Sequence, residues 1–234
     1  MKKLTALLLV LVMAVSMVAC STNNTTTAGN NTTAGNNDAT AGNNDATAGT
    51  TAGETEEAEP AQSAEELLNA TVNKFAETLA PLFEMPAEDV KGAFAGGYFS
   101  EDETTAKFGE AGKTPVNVEE AAVYFKIVSL ITEDAFAKLE DAAVFQHMMN
   151  LNTLAVSAMK VADAADVESV ANSLKNSVGG NERWECGFPE KYFVITIGSY
   201  VISAYGNADM INAMKTAVTE TYANAVVVAD EAFA

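Results

Sequence analysis

Residues 21–62 contain no Leu, Ile, Val, Met or aromatic side chain. A stretch like this has nothing to bury, so the entropy lost on ordering it would go unrepaid. Any folded core must therefore come from the rest of the chain. Within the stretch, Thr-Ala-Gly recurs at 27–29, 33–35, 40–42, 47–49 and 51–53, with Asn-Asn pairs between several copies. No copy has an apolar face to stack on its neighbour, which excludes a solenoid. Glu54, Glu56, Glu57 and Glu59 form an acidic collar before Pro60. The segment reads as a disordered tether, with an end-to-end distance of about 35 Å as a coil and roughly 140 Å at full stretch.

The tether is preceded by Lys2-Lys3, an apolar run from Leu4 to Val18, small Ala19 and then Cys20. This is the layout of a secretory signal that ends in a bacterial lipoprotein cleavage site, with Met17 where Leu is usual. The run is shorter than the roughly 20 residues that a membrane-spanning helix needs. Cys20 is thus the predicted lipidation site. Diacylglycerol on its sulfur supplies the two acyl chains that stable anchoring requires. The expected organisation is a signal peptide at 1–19, a lipidated cysteine and disordered tether at 20–62, and a single α+β domain at 63–234. The expected location is the outer face of the cell membrane.

Net charge is −19, and loss of Lys2 and Lys3 with the signal makes it −21. Such a chain repels nucleic acid, so no nucleic-acid partner is expected. Cys186 is the only cysteine besides Cys20, so no internal disulfide staples the fold. His147 is the only histidine, which leaves too few ligands for an ordinary zinc site. No calcium loop appears, and Gly92, Gly96 and Gly97 are not followed by the Lys-Ser/Thr of a phosphate loop. No cofactor is expected.

Ser63 and Glu66 form a capping box ahead of a helix with Leu68, Val72, Phe75, Leu79 and Leu82 inward. Residues 86–95 suit a second short helix burying Val90 and Phe94, and 98–116 read as loop. Asn117 with Glu120 suggests another cap, with Tyr124, Ile127, Val128 and Ile131 on one face. The β-branched residues there keep a strand open as the alternative. Residues 133–141 look helical. Residues 143–149 and 154–161 suit two paired strands. A helix from Asp163 or Ala164 to Val178 follows, with Val167, Val170 and Leu174 inward. Tyr192 to Ile197 and Tyr200 to Tyr205 flank Gly198-Ser199 as a hairpin. Asn207 caps a last helix with Met210, Ile211, Met214, Val218 and Tyr222 inward. The predicted fold is α+β: N-terminal helices plus a small, mainly antiparallel sheet of about four strands.

The segment from Leu154 to Tyr222 includes Ala155-Val156-Ser157-Ala158-Met159, Arg183-Trp184, Phe188-Pro189-Glu190-Lys191-Tyr192 and Gly198-Ser199-Tyr200-Val201-Ile202. It resembles an uncharacterised domain family found in lipoproteins of anaerobic Gram-positive bacteria. The resemblance implies an envelope location and an α+β fold. It carries no activity.

Trp184, Phe188 and Tyr192 gather before the hairpin, with Tyr98 and Phe99 in the earlier loop. They make a candidate contact surface for a partner or a sugar, although such aromatics more often cover the end of a sheet. His147 lies in an apolar run with no evident acid–base partner, and a packed or edge role is the ordinary one. Cys186 has Arg183 nearby to lower its pKa, but Glu182 and Glu185 oppose that effect. Acidic pairs at Glu65-Glu66, Glu88-Asp89, Glu119-Glu120, Glu133-Asp134 and Glu140-Asp141, and the run Glu101-Asp102-Glu103, mostly suit helix starts. None is singled out as a glycosidase pair. The expected function is a lipid-anchored envelope protein that binds an envelope or cell-wall partner or ligand. A carboxylate-dependent hydrolase acting on cell-wall or extracellular substrate is the rival, and a purely structural component a third reading.

Overall fold

The computed structural model describes residues 62–98, 106–182, 184 and 187–233. These all lie in the second of the chain's two units, Glu59–Ala234. Cys20, the tract at 21–61, Phe99, Arg183 and Cys186 lie outside the described residues.

The fold is α+β. Helix α1 (Ala64–Phe83) opens on the expected capping box: Glu66 N–H donates to Ser63 Oγ at 3.1 Å, and Ser63 N–H donates to Glu66 Oε2 at 2.8 Å. Its buried stripe runs Leu67, Leu68, Thr71, Val72, Phe75, Ala76 and Leu79. Leu82, expected inward, is 62% exposed, because the last turn, which contains Pro81, is largely exposed. Helix α2 (Ala87–Lys91) is a single turn. Phe94 then lies not on a helix but on strand β1 (Phe94–Gly96), where its ring meets Phe75 edge-on at 5.4 Å and stacks on Phe145 at 5.1 Å. The stretch read as loop contains two short strands, β2 (Lys107–Phe108) and β3 (Gly112–Lys113).

Helix α3 (Glu119–Ser129) excludes the strand alternative. Its N-cap is Val118 with no side-chain bond, so the expected Asn117 cap is not made. Its inward face is Ala121, Ala122, Phe125 and Val128, while Ile127 is 62% exposed. Phe125 and Val128 set the buried face, and the β-branched Val123 and Ile127 lie outside it. Helix α4 (Glu133–Phe136) is one turn only. The helix expected to reach residue 141 gives way to β4 (Leu139–His147), because pairing with β5 (Leu154–Val161) extends back to Leu139↔Val161. Tertiary pairing overrides the local pattern there.

A 3₁₀ turn (Ala164–Asp166) leads into α5 (Val167–Gly179), which buries Val170, Ala171, Leu174 and Val178. The hairpin β6 (Lys191–Ile197) and β7 (Tyr200–Gly206) pairs Ile197↔Tyr200 across Gly198-Ser199, and Gly198 has φ 52°. A positive φ at the first turn position alone is the type II′ pattern. Helix α6 (Ala208–Thr221) starts at Asn207 without a bond from its side chain. Glu190 Oε2 accepts from Ala208 N–H at 2.8 Å instead. After Tyr222, β8 (Val226–Ala232) adds a strand that helical periodicity does not reveal.

The sheet has eight strands rather than about four. Its order is β2-β1-β4-β5-β7-β6-β8, all antiparallel, and β3 sits beside β1 on the same edge of β4. The connections β5–α5–β6 and β7–α6–β8 each skip one strand and cross opposite faces, so helices cover both sides. Phe145, Val156, Phe193, Ile195 and Ile202 pack under α1 and α6. Val144, Ala155, Met159, Val194 and Val201 pack under α3 and α5. The period of two along each strand supplies both cores from the same strands. Among the described residues no helix is long and apolar enough to cross a membrane.

Candidate functional site

The aromatic residues that the sequence groups together have separate places. Trp184 rests on Tyr205 at 5.0 Å and on Phe233 at 5.2 Å. Tyr192 meets the same Phe233 ring at 5.2 Å and is only 3% exposed. Its hydroxyl donates to Glu231 at 2.8 Å, and burial, followed by that carboxylate, pushes its pKa up to about 12. Trp184 and Tyr192 therefore both pack on the Phe233 ring. Phe188 is 75% exposed and joins neither ring. Tyr98 leans on Tyr124 at 5.6 Å.

A charged cleft of about 410 Å³ lies beside the start of α1. Every carboxylate in it has a structural partner. Glu66 closes the capping box, and hydrogen bonds from the Ser63 backbone and hydroxyl hold its carboxyl below the usual range. Asp141 Oδ2 accepts from Ala64 N–H at 2.9 Å, and its Oδ1 lies 3.3 Å from Lys113 Nζ. Glu140, set at a bulge in β4, pairs with Lys160 at 2.6 Å. These groups secure the start of α1 to β4 and tie β4 to its neighbours β3 and β5. No described group of three or more His, Cys, Asp or Glu residues is placed to hold a metal.

A different pocket, of about 190 Å³, is almost wholly apolar. The end of α1 contributes Phe83, the following turn Met85, β1 Phe94 and the first turn of α6 Met210. Asp89 and His147 are the only polar side chains lining it. His147 Nδ1 accepts from Met149 N–H at 3.3 Å and from Asn150 N–H at 3.2 Å. That nitrogen cannot hold a proton without losing both bonds, so the neutral ring carries its proton on Nε2. Burial lowers the pKa of His147, in the same direction. An imidazole so arranged is a hydrogen-bond donor, and neither a general base nor a ready metal ligand.

The surface around this pocket concentrates exposed apolar side chains. Met148 N–H bonds to Ala93 O beside the pocket, and Met149 follows with 91% exposure. Phe83 and Met85, both exposed, add to the same region. His147 stands out in the sequence as its single histidine, whereas the Met148-Met149 pair beside it carries no motif. That pair of large apolar residues at a strand end was the available signal. Comparison with protein-family models, with curated proteins and with solved structures finds no match for this chain.

Proposed function

We propose that this protein is a lipid-anchored envelope protein at the outer face of the cell membrane, held by diacylglycerol on Cys20, whose α+β domain binds a partner. The reading places the chain with the lipoprotein domain family that residues 154–222 resemble. The observation that carries the binding role is the Met- and Phe-rich surface around the His147 pocket. Exposed large apolar side chains gathered in one place, with a preformed hollow among them, are the usual mark of an interaction site. The hydrolase reading has less support, because the carboxylates of the charged cleft beside α1 are occupied by a helix cap and ion pairs.

Two measurements test the reading. Metabolic labelling with a fatty-acid analogue tests the anchor, with label expected on the wild type and lost from Cys20→Ala; equal label on both rejects it. Crosslinking in intact cells followed by purification tests the binding role, with a defined crosslinked species expected. A chain that is recovered only as itself rejects that role.

A further inference from the structure

We propose that the His147 pocket receives a single apolar side chain from a cationic polypeptide segment. This rests on the binding role proposed above and names the chemistry of its partner. The volume, about 190 Å³, falls below the roughly 300 Å³ at which small-molecule pockets begin. It suits one Leu or Phe side chain. The wall is built for such a guest: Met85 is 46% exposed, and methionine adapts its shape to different apolar partners. Met210, nearly buried, closes the floor with Phe94.

The rim supplies the sign of charge. Asp89 lines the pocket, Glu84 lies between Phe83 and Met85 in the chain, and Asp209 precedes Met210, so three elements each bring an exposed carboxylate. Lys91, two residues after Asp89, is taken by Glu88 at 3.0 Å and Asn73 at 2.9 Å. His147 stays neutral and adds no opposing charge. An apolar anchor flanked by Lys or Arg would gain from both features, whereas an acidic segment or an anionic lipid surface would be repelled. The Nε2–H of His147 is available for a carbonyl of the incoming backbone.

The test uses the mature chain, residues 20–234 with Cys20→Ser, and labelled hexapeptides read by fluorescence anisotropy. One carries Leu-Phe between two pairs of lysines, the second replaces the lysines with glutamates, and the third replaces Leu-Phe with serines. Only the first is expected to bind, more weakly as salt rises. Met85→Ser should weaken it roughly tenfold or more, in line with the loss of one buried apolar side chain. Asp89→Asn should weaken it severalfold, and both positions are exposed enough to leave the melting temperature unchanged. Equal binding of the glutamate or serine peptide, or no effect of Met85→Ser, overturns the proposal. So does flotation with zwitterionic vesicles, or dimerisation in sedimentation, that Met85→Ser abolishes. In those cases lipid or a second copy fills the pocket. If the proposal fails while a crosslinked partner persists in cells with Met85→Ser, binding uses another surface. If no partner is found at all, the wider reading has failed as well.

Discussion

The backbone of Gly96 crosses that of Gly112 so closely that neither has room for a Cβ. A carbon added at Gly96 would run into Gly112 N, Val144 O and Ala111 C, and one at Gly112 would lie 2.6 Å from Gly97 N and 2.7 Å from Gly96 C. All of these are backbone atoms, which cannot rotate away as a side chain can. This contact lets β1 and β3 share the same edge of β4. Gly96→Ala should therefore destabilise the domain by about 3 kcal/mol, and Gly112→Ala by a similar amount. Urea denaturation checks this, and a loss below about 0.5 kcal/mol would show that the strands separate freely.

Gly198 holds φ 52° at the first position of the β6–β7 turn. A β-branched residue is poorly accommodated there. Gly198→Val is expected to cost roughly 1–3 kcal/mol, and Ser199→Ala far less. Thermal melts of the two variants should differ clearly.

Glu84 ends α1 in the left-handed conformation, at φ 53°, with its N–H bonded to Ala80 O. Glycine is the residue that takes this C-terminal position without a Cβ penalty. Glu84→Gly should raise stability by about 0.5 kcal/mol, after allowing for the greater freedom of glycine in the unfolded chain. Glu84→Ala should bring no such gain, and denaturant midpoints of the pair decide the matter.

Asp230 on β8 lies between Lys215 and Lys191, at 2.5 Å and 2.9 Å. Burial alone would raise its pKa, but the hydrogen bonds and charges of the two lysines outweigh this and hold it below the ordinary 3.8. A depressed folded pKa stabilises the native state above the unfolded value and ceases to do so as pH falls through the folded value. Stability from this site should thus be complete above about pH 4 and fade below it. Asp230→Asn should lose about 1–3 kcal/mol at pH 7 and less at pH 2. A loss that does not change between these pH values would remove Asp230 from the acid response.

Features carried by neighbours in the chain were legible without the fold. The Ser63–Glu66 box, the Gly198-Ser199 turn and the apolar stripes of α1 and α5 depend on residues within a few positions of each other. The short strands β1 and β3 were not legible, since two or three residues have no period to read. Leu139 to Asp141 looked helical until Val161 and Lys160 of β5 were there to pair with them. Tyr192 looked like a surface aromatic until Phe233, at the far end of the chain, covered it.

The sequence by itself determined that the fold is α+β and that its main helices and hairpin lie roughly where they do, because capping, turn chemistry and hydrophobic period are local. Only the tertiary structure decided the eight-strand order, the two-sided burial of the sheet and the pocket at His147. Phe83, Phe94, His147 and Met210 come together there because β4, β1 and two helices converge. Such convergence depends on long-range pairing and packing, which no local pattern in the chain records.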